Sequence, residues 1–193
     1  MSRGFSKGRG SDKGRAVVRF SDDELEILRI LLFGQLELLD LDDPLGDDPD
    51  PLARALGIAP LRTDGPIEPP DDPALARLFP NAYRDDNAEA GEFRRLTEPD
   101  LREAKRVNVR SVLDSLAKTE GEEPVVLDAD LAAAWLGALN DLRLVLGTRL
   151  EIADEQDDLL GRISPDDPRF GAVHLYHWLG LIQETLLGVL PLT

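Results

Sequence analysis

Lys105 stands where a lysine is out of place. At 100° per residue, Leu101, Val109, Val112 and Leu116 define the apolar face of a helix over residues 98–117, and Lys105 falls near the centre of that face with Asn108 at its edge. A lysine there must snorkel to water, pair with a carboxylate or serve a site, because an unpaired buried ammonium is too costly to keep. Asp141 and Glu184, on two other apolar helices, are the carboxylates that could meet it in an interhelical ion pair. Arg102, Arg106 and Arg110 line the adjoining flank, and Arg94 and Arg95 lie two turns ahead. Guanidinium groups spaced in this way can hold phosphate or an acidic protein surface, or they can pair with the acidic remainder of the chain. Residues 87–113 also read as a helix, a short turn and a basic second helix, the outline of a DNA-recognition unit.

A second constellation sits on the last helix. His174 and His177 are three residues apart, and Glu184 shares the face of His177 two turns on. Two imidazoles and a carboxylate are a possible zinc or di-metal ligand set. No second helix offers a matching Glu-x-x-His, and Tyr176, Trp178, Leu179, Ile182, Leu186 and Leu187 make the helix mainly a packing element. The acidic run 40–50 has the composition of a calcium loop, but Leu45 stands at its sixth position and no Glu closes it. There is no phosphate-cradling Gly-rich loop with lysine, no GxSxG and no HExxH. The residues therefore predict no enzyme, no cofactor and no metal.

The elements that must position these groups are mostly helices. Val17, Val18 and Phe20 predict a short strand running into Ser21-Asp22-Asp23-Glu24, the signature of a capping box, and a helix to about Asp40 with Leu25, Leu28, Leu32, Leu36 and Leu39 on one face. Residues 41–72 are rich in Asp and Pro and predict a flexible loop, with one or two helical turns at Pro51–Ile58. Short helices follow at 73–79 and 87–96. Thr97 is expected to cap a longer helix reaching Ala117, with Pro99 in its first turn. Val125-Val126-Leu127 predicts a second strand that pairs with the first, and Asp128 caps a core helix to Leu150 that is apolar almost all the way round. An acidic loop over 151–168 precedes a final helix over about 169–190.

Composition bounds the partners. The net charge of −16 is unevenly placed: residues 1–19 hold six basic side chains and one acid, and residues 94–110 hold six more against three acids. The acidic body repels nucleic acid over its general surface, while the basic tail and helix could still dock on phosphate or on an acidic protein. The absence of cysteine removes disulfides, thiolate catalysis and thiol redox sensing. No apolar h-region and no membrane-length apolar run are present, so the expected location is cytoplasmic. Residues 1–14, rich in Gly, Ser and base, are expected to be disordered.

The segments DPALARLFPNAYRDD (72–86), EFRRLTEPDLREAKRVNVRSVL (92–113), WLGALNDLRLVLGTRL (135–150) and HWLGLIQETLLGVL (177–190), with VVRFSDDELEILRILLFGQLELL (17–39), resemble an actinobacterial family long described as a domain of unknown function and now named after the oxidative stress regulator AosR. The resemblance spans nearly the whole chain outside residues 1–14 and the Asp-Pro loop. It implies a cytoplasmic, non-enzymatic regulator that contacts the transcription machinery, a sigma factor or RNA polymerase, under oxidative stress. It also implies, more weakly, an accessory role in Clp proteolysis. Redox sensing in that regulator type is attributed to a cysteine pair, which this chain lacks, so the thiol mechanism does not carry over.

These readings predict a mainly α single domain over residues 15–193, a bundle of about five or six helices with a minor two-stranded β-ribbon. Arg94, Arg95, Arg102, Arg106 and Arg110 are the expected contact surface for a protein partner, or for DNA through the 98–113 helix. Lys105, Asp141 and Glu184 are the expected buried ion-pair candidates. Self-association is open, and no membrane partner is expected.

Overall fold

The computed structural model describes residues 4–41, 67–82, 86–118, 123–152 and 159–190; the predicted turns at Pro51–Ile58 and most of the Asp-Pro loop lie outside them. Among the described residues the fold is mainly α. It comprises β1 (Ser6–Lys7), a 3-10 turn (Gly10–Asp12), β2 (Ala16–Val18), α1 (Asp22–Asp40), α2 (Pro73–Leu78), α3 (Asn87–Ala117), β3 (Val125–Leu127), α4 (Ala129–Arg149), α5 (Leu159–Arg162) and α6 (Phe170–Val189). The short helix α5 occupies part of the stretch expected to be an acidic loop.

Local chemistry sets the helix starts. Ser21 and Glu24 form the full capping box, each side chain accepting from the other's backbone N–H. Asp72 accepts from the N–H groups of Ala74 and Leu75 ahead of Pro73, and Asp128 accepts from Leu131 N–H.

The predicted break between residues 96 and 98 is absent. Asn87–Ala117 is one helix with Pro99 inside it. A proline there removes a backbone donor and crowds the preceding turn, at a cost of about 3 kcal/mol. One contact braces the turn before it and another spans it. Thr97, expected to cap forward, instead donates from Oγ1 back to the Phe93 carbonyl at 2.9 Å. Arg94, Glu98 and Arg102 form a buried i,i+4 ladder that straddles the proline.

The sheet also exceeds the prediction. β2 pairs antiparallel with β3 (Ala16↔Leu127, Val17↔Val126, Val18↔Val125), as the two Val-Val segments suggest. A third strand, β1, joins β2 from within the supposed tail (Ser6↔Val17, Lys7↔Ala16). The described part of that tail, residues 4–14, is therefore structured. Phe5 is 5% exposed and meets Trp135 edge-on at 5.6 Å. Its N–H donates to Thr185 Oγ1 at 3.0 Å. Gly4 makes the approach possible: its φ is +78°, and a Cβ there would fall 2.1 Å from Thr185 Oγ1.

α4 is the central helix, packing on α2, α3 and α6, while α1 lies against α3. Trp135 is fully buried, with Phe20 stacked on it at 5.9 Å and Trp178 edge-on to Phe20 at 6.3 Å. Its indole N–H donates to Ser115 Oγ, which itself donates to the Val112 carbonyl. Where α3 and α4 meet, a Cβ at Gly137 would come within 2.6 Å of Asn108 Nδ2, so a larger residue there displaces the end of the Asn108 side chain. Gly34, in the interior of α1, has no such reason: a Cβ there would meet nothing within 4 Å. Glycine in a helix interior costs roughly 0.5–1 kcal/mol relative to alanine.

Candidate functional site

The cations of α3 converge on the ends of its neighbours. α1 carries no basic residue in its last turn, so its terminal carbonyls need donors from elsewhere. Arg102 and Arg106 supply them. Arg102, fully buried, donates to the carbonyls of Leu39 at 2.6 Å and Leu41 at 3.0 Å, and Arg106 donates to Leu39 at 3.0 Å and pairs with Asp40 at 2.8 Å. Arg29, two turns into α1, donates to the Leu116 carbonyl near the end of α3. The two helices are therefore antiparallel and pinned at two levels, the end of α1 and its first half.

Arg94 performs the same service for α2. It donates to the Phe79 carbonyl at 3.0 Å and to Asn81 Oδ1 at 2.6 Å. Glu98 accepts from both Arg94 and Arg102 and is 3% exposed. The Phe79 ring lies beneath Arg102, 4.5 Å from its guanidinium carbon, and 6.0 Å from Lys105 Nζ.

Lys105 pairs with Asp141 of α4 at 2.7 Å, with side chains 14% and 5% exposed. The carboxylate partner is Asp141; Glu184 is exposed on α6 and takes no part. Burial holds the Asp141 carboxyl above its usual range, opposed in part by the Lys105 charge and by hydrogen bonds from Lys105 and Asn140. A folded-state pKa raised above the unfolded value places this group's stabilising contribution on the acid side. It is complete below pH ~3.8 and is lost as pH rises through the raised value. Two results are expected. Lys105→Met and Asp141→Leu each destabilise when made alone, by about 3–5 kcal/mol, whereas the double variant is near wild type or above it. The stability of wild type relative to that double variant rises as pH falls through the raised pKa. Urea melts of the four proteins at a series of pH values check both.

These contacts revise the expected contact surface. Arg94 and Arg102 are buried and Arg106 is nearly so, each bonded inside the molecule, so they form a clamp joining α1, α2 and α3 and not an outward face. Arg95 pairs with Glu92 at 3.0 Å and is 21% exposed; Arg110, 57% exposed, pairs with Glu103 at 3.3 Å. The DNA-recognition outline loses both its turn, since α3 is continuous, and two of its three outward arginines. On α6, His174 Nδ1 lies 2.9 Å from the Phe170 carbonyl, and among the described residues no group of three or more His, Cys, Asp or Glu side chains could hold a metal ion. No helix of the described residues is long and apolar enough to cross a membrane.

What faces outward instead is apolar. Ile30 and Phe33 of α1, Phe93, Leu96 and Val107 of α3, and Leu187 of α6 are 45–63% exposed. The α1 residues escaped the sequence reading because its leucine stripe accounts for a whole core face by itself. The available signal was a second apolar stripe, Ile27, Ile30 and Phe33, on the opposite side of the wheel.

Comparison with known proteins agrees with the resemblance. The profile of the family described as domain of unknown function DUF2017 matches residues 2–190. The match thus includes the segment that carries Phe5. Proteins named oxidative stress regulator AosR, from Mycobacterium tuberculosis and Mycobacterium bovis, are 32% identical over 180 residues, covering 86% of this chain and 78% of theirs. A putative oxidative stress regulator AosR of Mycobacterium leprae is 32% identical over 142 residues, covering 67% of this chain and 63% of its own. No solved structure matches the chain.

Proposed function

The chain belongs to the DUF2017 family, and on that premise we propose that it is a non-enzymatic regulator that binds a protein of the transcription machinery, a sigma factor or RNA polymerase, in the response to oxidative stress. The observation that carries this reading is the extent of the similarity: relatives named as oxidative stress regulators match 86% of the chain at 32% identity. A regulator that works by contact needs a rigid body with outward apolar surface. The clamp of α3 supports the first requirement and the exposed residues of α1, α3 and α6 the second. The setting we propose is cytoplasmic. Any stress signal reaches these 193 residues without a thiol, since they contain no cysteine.

The test is capture on tagged protein from a native lysate before and after peroxide treatment, with bound proteins identified by mass spectrometry. Recovery of a sigma factor or of RNA polymerase subunits above an untagged control is the expected result. Recovery of Clp components alone, or of nothing above background, overturns it.

A further inference from the structure

The outer face of α1 combines three features that nothing among the described residues explains. Ile27, Ile30 and Phe33 stand 37%, 63% and 56% exposed. At 100° per residue Ile30 is bracketed by Glu26 and Glu37 on one side and by Asp23 and Gly34 on the other, all exposed. The only base on α1, Arg29, turns away to the Leu116 carbonyl. Gly34 is the third feature. It weakens the helix interior, yet a side chain there would enter open space, with no close neighbour to require its absence. The other glycines with comparable open surroundings on a helix, Gly171 and Gly188, lie in the first and last turns of α6, where a helix tolerates glycine more readily. A bare patch of backbone between isoleucine and phenylalanine is what a second helix needs to approach closely.

We propose that this face docks an amphipathic helix with a basic flank on the protein partner. The apolar side of that helix would lie on Ile30 and Phe33 and close over Gly34, and its cations would meet Asp23, Glu26 and Glu37. Charge selects this occupant. A second copy of the chain, docked face to face, would bring two sets of these carboxylates together with no base to offset them. The inference deepens the partner-binding reading above and rests on it for the identity of the partner.

The test uses the full chain and a fluorescein-labelled amphipathic helical peptide of leucine and lysine, followed by anisotropy at physiological salt, with a leucine–glutamate counterpart as control. Wild type is expected to bind the lysine peptide and not its counterpart. Gly34→Gln is the informative variant: it replaces glycine with a better helix former, so its melting temperature rises while its affinity falls at least tenfold. Ile30→Glu with Phe33→Glu falls at least as far, and Leu187→Glu on α6 leaves affinity unchanged. Equal affinity in wild type and Gly34→Gln, or an equal loss in Leu187→Glu, overturns the proposal. So does a dimer by sedimentation that Gly34→Gln dissociates, which would make a second copy the occupant. The lysate capture separates this proposal from the reading beneath it. A sigma factor or polymerase captured equally by wild type and Gly34→Gln leaves the regulator reading standing and removes this surface. Capture of neither by wild type, with the peptide still discriminating, removes the regulator reading and keeps the surface.

Discussion

Arg102→Ala is expected to cost about 3–5 kcal/mol of folding stability, on a par with the loss of Lys105 from the same helix. Arg102 is fully buried and donates to Leu39, Leu41 and Glu98 while its guanidinium lies over Phe79. Alanine leaves two carbonyls at the end of α1 without that donor and strips one of the two cations from a buried carboxylate. The desolvation of those groups, and not the intrinsic worth of the pair, sets the size of the loss. Arg110→Ala is the matched control: its partner Glu103 is 56% exposed, so the change is expected to stay within about 0.5 kcal/mol. Urea unfolding of both variants, with the slope against denaturant held to the wild-type value, checks the pair. A loss below about 1 kcal/mol at Arg102 would remove the clamp as the element joining α1 to α3.

Phe5→Ala is the second large effect, about 3–5 kcal/mol. The residue lies in a segment that composition marks as a solvated tail, yet its ring packs edge-on against Trp135 and its N–H is taken up by Thr185 on α6. Truncation opens a cavity beside the largest core side chain, and the rigid helices around it limit how far the gap can close. The melting temperature is the readout. A true appendage would leave it unchanged, whereas the docked strand predicts a fall comparable to that of a mid-core substitution. Gly4→Ala tests the same contact from the backbone side, because it joins a left-handed φ to a clash with Thr185.

The helix starts were legible because a cap is a local device: Ser21, Asp72 and Asp128 each sit immediately ahead of the amides they satisfy. Lys105 with Asp141 was legible because a cation on an apolar face has few ways to survive, although the sequence left Glu184 as an equal candidate. Three features were not legible, each for a physical reason. Proline and threonine at 97–99 carry the local signature of a helix start, and it is overridden by an Arg94–Glu98–Arg102 ladder whose arginines are tied to Phe79 and Leu39, far away in the chain. Phe5 is a single aromatic among glycines and bases, and its partners lie 130 and 180 residues away. The arginines of α3 have the outward look of a surface because charge runs usually form one. The Arg-x-x-x-Glu-x-x-x-Arg spacing from 94 to 102 was the sign that they serve one another.

The contact between Phe5 and Thr185 ties positions 180 residues apart. A chain synthesised from its N-terminus carries the first strand long before the helix that anchors it exists. The aromatic cluster around Trp135 therefore stays open on one side until the α6 residues arrive. The entropy of closing so long a loop grows only with the logarithm of its length, so the delay weighs on folding rate far more than on final stability. Completion of the core is thereby deferred until α6 has been synthesised, and a nascent chain stalled before α6 exposes the apolar surface that aggregation and quality control act upon.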